Sequence, residues 1–169
     1  METLEAIHTR RSVRKFENRS VPDELVHKIL EAAMCAPSAM NEQPWHFIVI
    51  KGKGTHEEIP KFSPYAAMAK NAPLAILVCG ETKLEKAKGF WVQDCSAAIQ
   101  NILLATHSLG LGAVWTAAYP WKDREDGYRK LLGIPEGVIP LALIVIGYSA
   151  QKAGKADRFK KERVHKELW

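Results

Sequence analysis

Two apolar runs, Pro73–Gly80 "PLAILVCG" and Pro140–Gly147 "PLALIVIG", constrain this chain most. Each is far short of the about 20 residues needed to span a bilayer. Both therefore read as buried strands. A third strand is expected at "HFIVI" (46–50) and a short fourth at "AVW" (113–115). Between them the apolar period changes from strand to helix. Val92, Cys95, Ile99, Ile102, Leu103 and Thr106 recur at three and four, with no Gly or Pro between, so 91–108 is the clearest helix and "LGLG" ends it.

Further helices are expected from Leu4 to about Arg10, and from Pro22 to near Ala36. Pro22 suits a first helical position, Asp23 and Glu24 complement the dipole, and Pro37 disfavours α conformation before it. Another helical stretch spans Pro64 to Lys70. A shorter helix, "KDREDGYRKLLG", is weakened by Gly127. "KGKGT" (51–55) reads as a turn. Mixed helices and about four strands make an α/β or α+β domain, a sheet covered by helices. At 169 residues, 47% apolar and 25% charged, the chain is long enough for one cored domain and too apolar for disorder. No repeat is visible.

The N-terminus "METLEAIHTRR" lacks the basic and apolar regions of a signal peptide, so a cytoplasmic protein without a membrane partner is expected. The three cysteines, Cys35, Cys79 and Cys95, have no CxxC or zinc spacing and read as buried thiols in a reducing compartment.

The net charge of +5 is uneven: residues 151–169 hold seven Lys/Arg and three Asp/Glu, residues 1–150 seventeen and sixteen. A duplex-binding surface shows a broader basic stripe, so no nucleic-acid partner is expected. The other basic cluster is "HTRRSVRKF" (8–16), four cations and a hydroxyl within eight residues. Arginine's planar fork and the Ser12 hydroxyl suit a phosphate. A solvated cationic turn is the alternative. "PSAMNEQPW" (37–45) adds two amides, Asn41 and Gln43, able to donate and accept as the polar edge of a flavin requires.

Neither "GLGAVW" nor "GKGT" has the spacing of a dinucleotide turn or a phosphate loop, and no GxSxG occurs. None of the six histidines has a nucleophile or metal partner at a telling spacing. His107 reads as a favourable dipole contact, and Asp94 as a solvated or capping carboxylate. An anion site without a catalytic dyad makes sense if a cofactor carries the chemistry.

Four segments, in order, resemble the nitroreductase family of FMN-dependent flavoproteins over nearly the whole chain. They are "IHTRRSVRKF", "ILEAAMCAPSAMNEQPWHFIVI", "WVQDCSAAIQNILLATHSLGLGAVWTAAYP" and "ADRFKKERVHKELW". The resemblance implies an α+β fold: a mainly antiparallel central sheet flanked by helices, as a single domain 1–169 in an intertwined homodimer. It implies that Arg10, Arg11, Ser12 and Arg14 bind FMN phosphate and ribityl, with positive charge near flavin N1 and O2. Pro37, Ser38, Ala39, Asn41 and Gln43 match a second run that faces FMN held mainly by the other subunit. Trp115, Thr116, Ala117 and Ala118 match the loop beside the isoalloxazine, where a backbone N–H reaches N5. Arg158 matches a C-terminal phosphate contact, with Lys155 a weaker match, and the 151–169 tail would wrap the partner.

The implied activity is ping-pong oxidoreduction from NADH or NADPH, through flavin N5, to a small acceptor such as a nitroaromatic or quinone. No side chain need be catalytic, and no metal is involved. The same flavin on another reaction (dehalogenation, flavin modification, dehydrogenation) and a flavin-storage protein are the alternatives. Two features set this chain apart: Thr116-Ala117-Ala118 stands where many relatives carry a glycine or glutamate, and little chain precedes the long helix to roof a substrate channel.

Overall fold

The computed structural model describes residues 1–152, 154 and 156–169. Five α-helices and four strands alternate irregularly. The helices are α1 (Thr3–Thr9), α2 (Asp23–Met34), α3 (Lys53–Glu58), α4 (Trp91–Ser108) and α5 (Lys122–Leu132). The strands are β1 (Trp45–Ile50), β2 (Leu74–Glu81), β3 (Gly112–Ala117) and β4 (Val138–Gly147). The sheet order is β1-β2-β4-β3, and every neighbouring pair is antiparallel. This is the expected α+β architecture.

The continuous apolar runs follow from a sheet covered on both faces. Successive strand residues point to opposite sides. Leu74, Ile76 and Val78 of β2 join Ala142, Ile144 and Ile146 of β4 in a core with Ile29 of α2 and Ile99 and Ile102 of α4. Ala75, Leu77 and Cys79, with Leu143 and Val145, face the other way onto Ile59, Ala69 and Tyr128. A bulge opposite Val78 and Cys79 absorbs Leu141, whose carbonyl then accepts from both Ala118 and Tyr119 N–H at 2.9 and 3.1 Å.

Three local expectations change. "KGKGT" is a turn only at its start; α3 begins at Lys53 because buried His56 bridges the carbonyls of Ile50 and Ala69 at 3.0 and 2.9 Å. Gly127 does not merely weaken α5. The Phe62 ring lies where a Cβ would stand, 2.3 Å away, and meets Tyr128 edge-on at 5.0 Å. Cys35 is exposed, because α2 ends at Met34 and the chain turns outward, while Cys79 and Cys95 are buried as expected. Burial pushes both thiols up to about 12. Among the described residues no helix is long and apolar enough to cross a membrane, and no His, Cys, Asp and Glu cluster could hold a metal.

Candidate active site

The Arg11–Glu17 segment is an extended strap on the outer edge of β3. Ser12 bridges Ala113 in parallel, and Val13 N–H donates to the Ala113 carbonyl at 2.9 Å. Phe16 bridges Ser149, Glu17 N–H donates to Tyr148 O, and Ala150 N–H donates to Lys15 O, each N–H···O bond 2.9 Å. Gln151 Oε1 accepts the N–H groups of Arg14 and Lys15 at 2.9 and 3.2 Å. Val13 alone of the strap's first four residues turns inward, into the space Gly112 leaves: a Cβ there would lie 2.6 Å from a Val13 methyl carbon. Ser12 and Arg14 therefore face out together.

Arg10 and Arg11 line one cleft of about 470 Å³ with Arg158 and Gln100. None of the six ion pairs among the described residues uses an arginine. Burial, then the charges of Arg158 and Arg11, lower the Arg10 guanidinium. Asp157 also lines this cleft but pairs with none of the arginines, and three unpaired guanidinium groups suit a phosphate dianion. Arg11 differs from the other two. It donates to the carbonyls of His8, Arg10 and Gly154 at 2.8, 2.7 and 3.0 Å, tying the end of α1 to the C-terminal tail. Lys155 lies outside the described residues.

Arg14 shares a second cleft, about 420 Å³, with Trp115, Thr116, Ala117 and the α5 residue Arg124. Thr116 and Ala118 are buried; Thr116 Oγ1 donates to Leu143 O at 3.0 Å, and Ala118 N–H is taken by Leu141. Strand alternation then turns the N–H groups of Trp115 and Ala117 to the outer edge of β3, on the side where Ala113 receives Val13. The donors facing the cleft are those two, not Ala118.

Pro37, Ser38, Ala39, Asn41 and Gln43 lie elsewhere, in a loop against the start of α4. Met40, Asn41 and Gln43 have φ of 48, 54 and 48°, a left-handed conformation that non-glycine residues hold only when their surroundings enforce it. The enforcement is visible. Ala39 N–H donates to Asp94 Oδ1 at 3.0 Å, and Gln43 N–H to Ser38 Oγ at 3.1 Å. Between the two exposed amides, Glu42 is 6% exposed and accepts the N–H groups of Lys86 and Ala87 at 2.6 and 2.9 Å. Asp94, which anchors this loop, and His107, which holds α1, are thirteen positions apart on α4, about 20 Å along its axis.

The Nitroreductase family model matches residues 7–148. The chain belongs to the nitroreductase family. It is 59% identical over 169 residues to a Methanothermobacter thermautotrophicus protein named "Putative NADH dehydrogenase/NAD(P)H nitroreductase", covering 100% of this chain and 88% of that one. It is 27% identical over 187 residues to the FMN reductase [NAD(P)H] of Bacillus subtilis, covering 99% and 74%. An FMN-dependent nitroreductase from Clostridium difficile R20291 superposes with a TM-score of 0.91 at 28% identity, covering 98% and 99%.

Within this nitroreductase fold, two sequence expectations need correction. Asp94 is not a solvated or simple capping carboxylate: it is 5% exposed, and burial, with the neighbouring charges of Glu42 and Glu85, raises its carboxyl against the Ala39 N–H. His107 is not chiefly a dipole partner. Its Nε2 meets Thr9 Oγ1 at 2.7 Å, and burial with the charges of Arg10 and Arg11 lowers its imidazole, favouring the neutral ring. Glu42, Gln151 and Arg124 escaped sequence reading. Only the alternation of Glu42 with the two amides hinted at a buried residue between exposed ones.

Proposed function

We propose that two copies of this chain form an FMN-dependent NAD(P)H oxidoreductase in which each flavin contacts both. Bound FMN supplies the hydride chemistry, at N5, between NAD(P)H and a small acceptor of nitroaromatic or quinone type. The observation that carries the reading is the convergence of Arg10, Arg11 and Arg158 on one cleft, none of them in an ion pair among the described residues.

In this reading Arg10 and Arg158 hold the phosphate, and Arg11 keeps the tail in place beside them. Ser12 gives the ribityl chain a hydroxyl. Arg14 sets positive charge beside N1 and O2, favouring the reduced form. The outward N–H of Trp115 or Ala117 meets N5. Asn41 and Gln43, on a loop anchored about 20 Å from the α1 end of α4, serve the flavin of the other copy. Exposed Leu4, Ile7 and Met34 give α1 and α2 an apolar surface, and Phe159, Val164, Leu168 and Trp169 of the tail are all more than half exposed, which suits docking on a second subunit. NAD(P)H and acceptor would use the cleft beside Ala117 in turn.

The test is the visible spectrum of the purified protein, followed by NADH or NADPH without oxygen. Flavin bands that bleach are expected. Bands that persist overturn the oxidoreductase reading, and a colourless protein that FMN cannot reconstitute overturns the cofactor.

A further inference from the structure

Arg124 sits in the first turn of α5 and is 8% exposed. Its Nη1 donates to the Ala117 carbonyl at 3.1 Å, and its Nε is buried without a partner. Its guanidinium carbon lies 4.2 Å from the ring centroid of Trp121 and 5.2 Å from that of Tyr65. Among the described residues no carboxylate pairs with it, although Asp123, Glu125 and Asp126 share its helix; Asp126 pairs with Lys122 instead. A guanidinium keeps its charge when buried, and a buried charge without a counter-ion is strongly unfavourable. The interaction with two ring faces offsets part of that and directs the remainder into the cleft of about 420 Å³ that Arg124 lines.

That cleft has a definite chemistry. Trp115, Trp121 and Tyr65 present partly exposed rings, 37, 47 and 73% accessible, as flat apolar walls. Arg124 supplies a cation at the edge, bonded to the carbonyl of the residue whose N–H faces outward toward the reacting position. We infer that Arg124 is a substrate-specificity residue: it anchors an anionic oxygen group, such as a carboxylate, on an aromatic electron acceptor stacked among these rings. The assignment rests on the oxidoreductase reading above, and it deepens that reading from an acceptor of unspecified charge to an acidic one. The same cation could also meet a phosphate of the nicotinamide donor, so the test separates the two sources.

The test uses calorimetric titration of the purified protein, with its flavin content measured, by para-nitrobenzoate, by its neutral counterpart para-nitrobenzyl alcohol, and by NADP+. Wild-type protein binds the nitrobenzoate more tightly than the alcohol. In Arg124→Gln that ratio falls by roughly tenfold or more, as loss of a charge-assisted hydrogen bond implies. Arg124→Lys, which keeps the charge without the fork, recovers part of it. An unchanged ratio in Arg124→Gln overturns the inference. A loss confined to NADP+ also overturns it, by moving Arg124 to the donor. If neither variant folds, wild-type protein still decides: equal affinity for the acid and the alcohol sinks the proposal. Because binding is read without turnover, a protein that selects the acid through Arg124 but is not bleached by NAD(P)H overturns the oxidoreductase reading alone.

Discussion

The Ala39 N–H is held by Asp94, and the Asp94 carboxyl feels the charge of Glu42, which sits three residues beyond Ala39 in the same loop. Glu42 Oε1 and Asp94 Oδ2 are both buried without a hydrogen-bond partner. Two neighbouring buried carboxyls disfavour both being ionised at once. Backbone N–H groups of Ala87 and Lys86 lower Glu42, and burial raises Asp94, so Asp94 is the acid that takes up a proton more readily.

The sign of the pH dependence follows. A carboxyl raised in the folded state stabilises fully below its unfolded value, here 3.8, and loses that contribution as pH climbs through the raised value. Asp94→Asn keeps an acceptor for the Ala39 N–H and removes the titrating group. Its melting temperature should therefore rise relative to wild type as pH increases from acid to neutral. A difference that stays constant with pH would show that folding does not raise the Asp94 carboxyl.

The glycine at 112 exists for Val13. A Cβ there would meet three Val13 side-chain atoms at 2.6, 2.8 and 2.9 Å. Gly112→Ala should push the strap off β3, at about 1–3 kcal/mol of overpacking, and weaken FMN binding by roughly tenfold or more. Gly54→Ala, with nothing within 4 Å, is the control. Equal FMN affinity in the two variants would mean that the strap tolerates the shift.

Gly127→Ala sets propensity against packing. Helix propensity predicts a gain of about 1 kcal/mol from alanine. Overlap with the Phe62 ring predicts a loss of about 1–3 kcal/mol. Packing should win, because the ring atoms lie at 2.3 Å and Phe62 is itself held against Tyr128. Denaturant unfolding that found the variant more stable would refute this. Phe62→Leu in the same chain should recover part of the loss.

Arg10→Ala and Arg158→Ala should each weaken FMN binding by roughly ten- to a hundredfold, the worth of a charge-assisted contact of about 1.5–3 kcal/mol. Flavin fluorescence during titration of the apoprotein reads this directly. Unchanged affinity in both variants would remove the phosphate from this cleft.

The sheet and α4 were legible because their signals are local. "LAILVCG" and "LALIVIG" are apolar at every position, as strands covered on both faces must be, and the three-and-four spacing of α4 matches its buried stripe. The Arg10–Arg14 cluster stood out in the sequence by its charge and the two amides by their place between prolines, but a solvated turn accounted for the charge equally well. What escaped depends on partners far along the chain. Asp94 reads as an ordinary helix carboxylate until Ala39, 55 residues earlier, is placed on it. Gly127 reads as a flaw in a helix until Phe62 arrives. Arg124 reads as one more charge in "KDREDG" until Tyr65 and Trp121 cover it. Apart from Trp121, three residues before Arg124, no short window of sequence holds these partners.

The placement of the amide loop and the arginine strap toward opposite ends of α4 has a genetic consequence. If each flavin draws on the strap of one chain and the loop of the other, Arg10→Ala and Asn41→Ala damage different halves of every site. Mixed subunits then assort the damage: one site of the hybrid carries both defects, and the other carries neither. Two alleles that are each inactive alone should complement when co-expressed, restoring up to half of the flavin sites in every hybrid molecule.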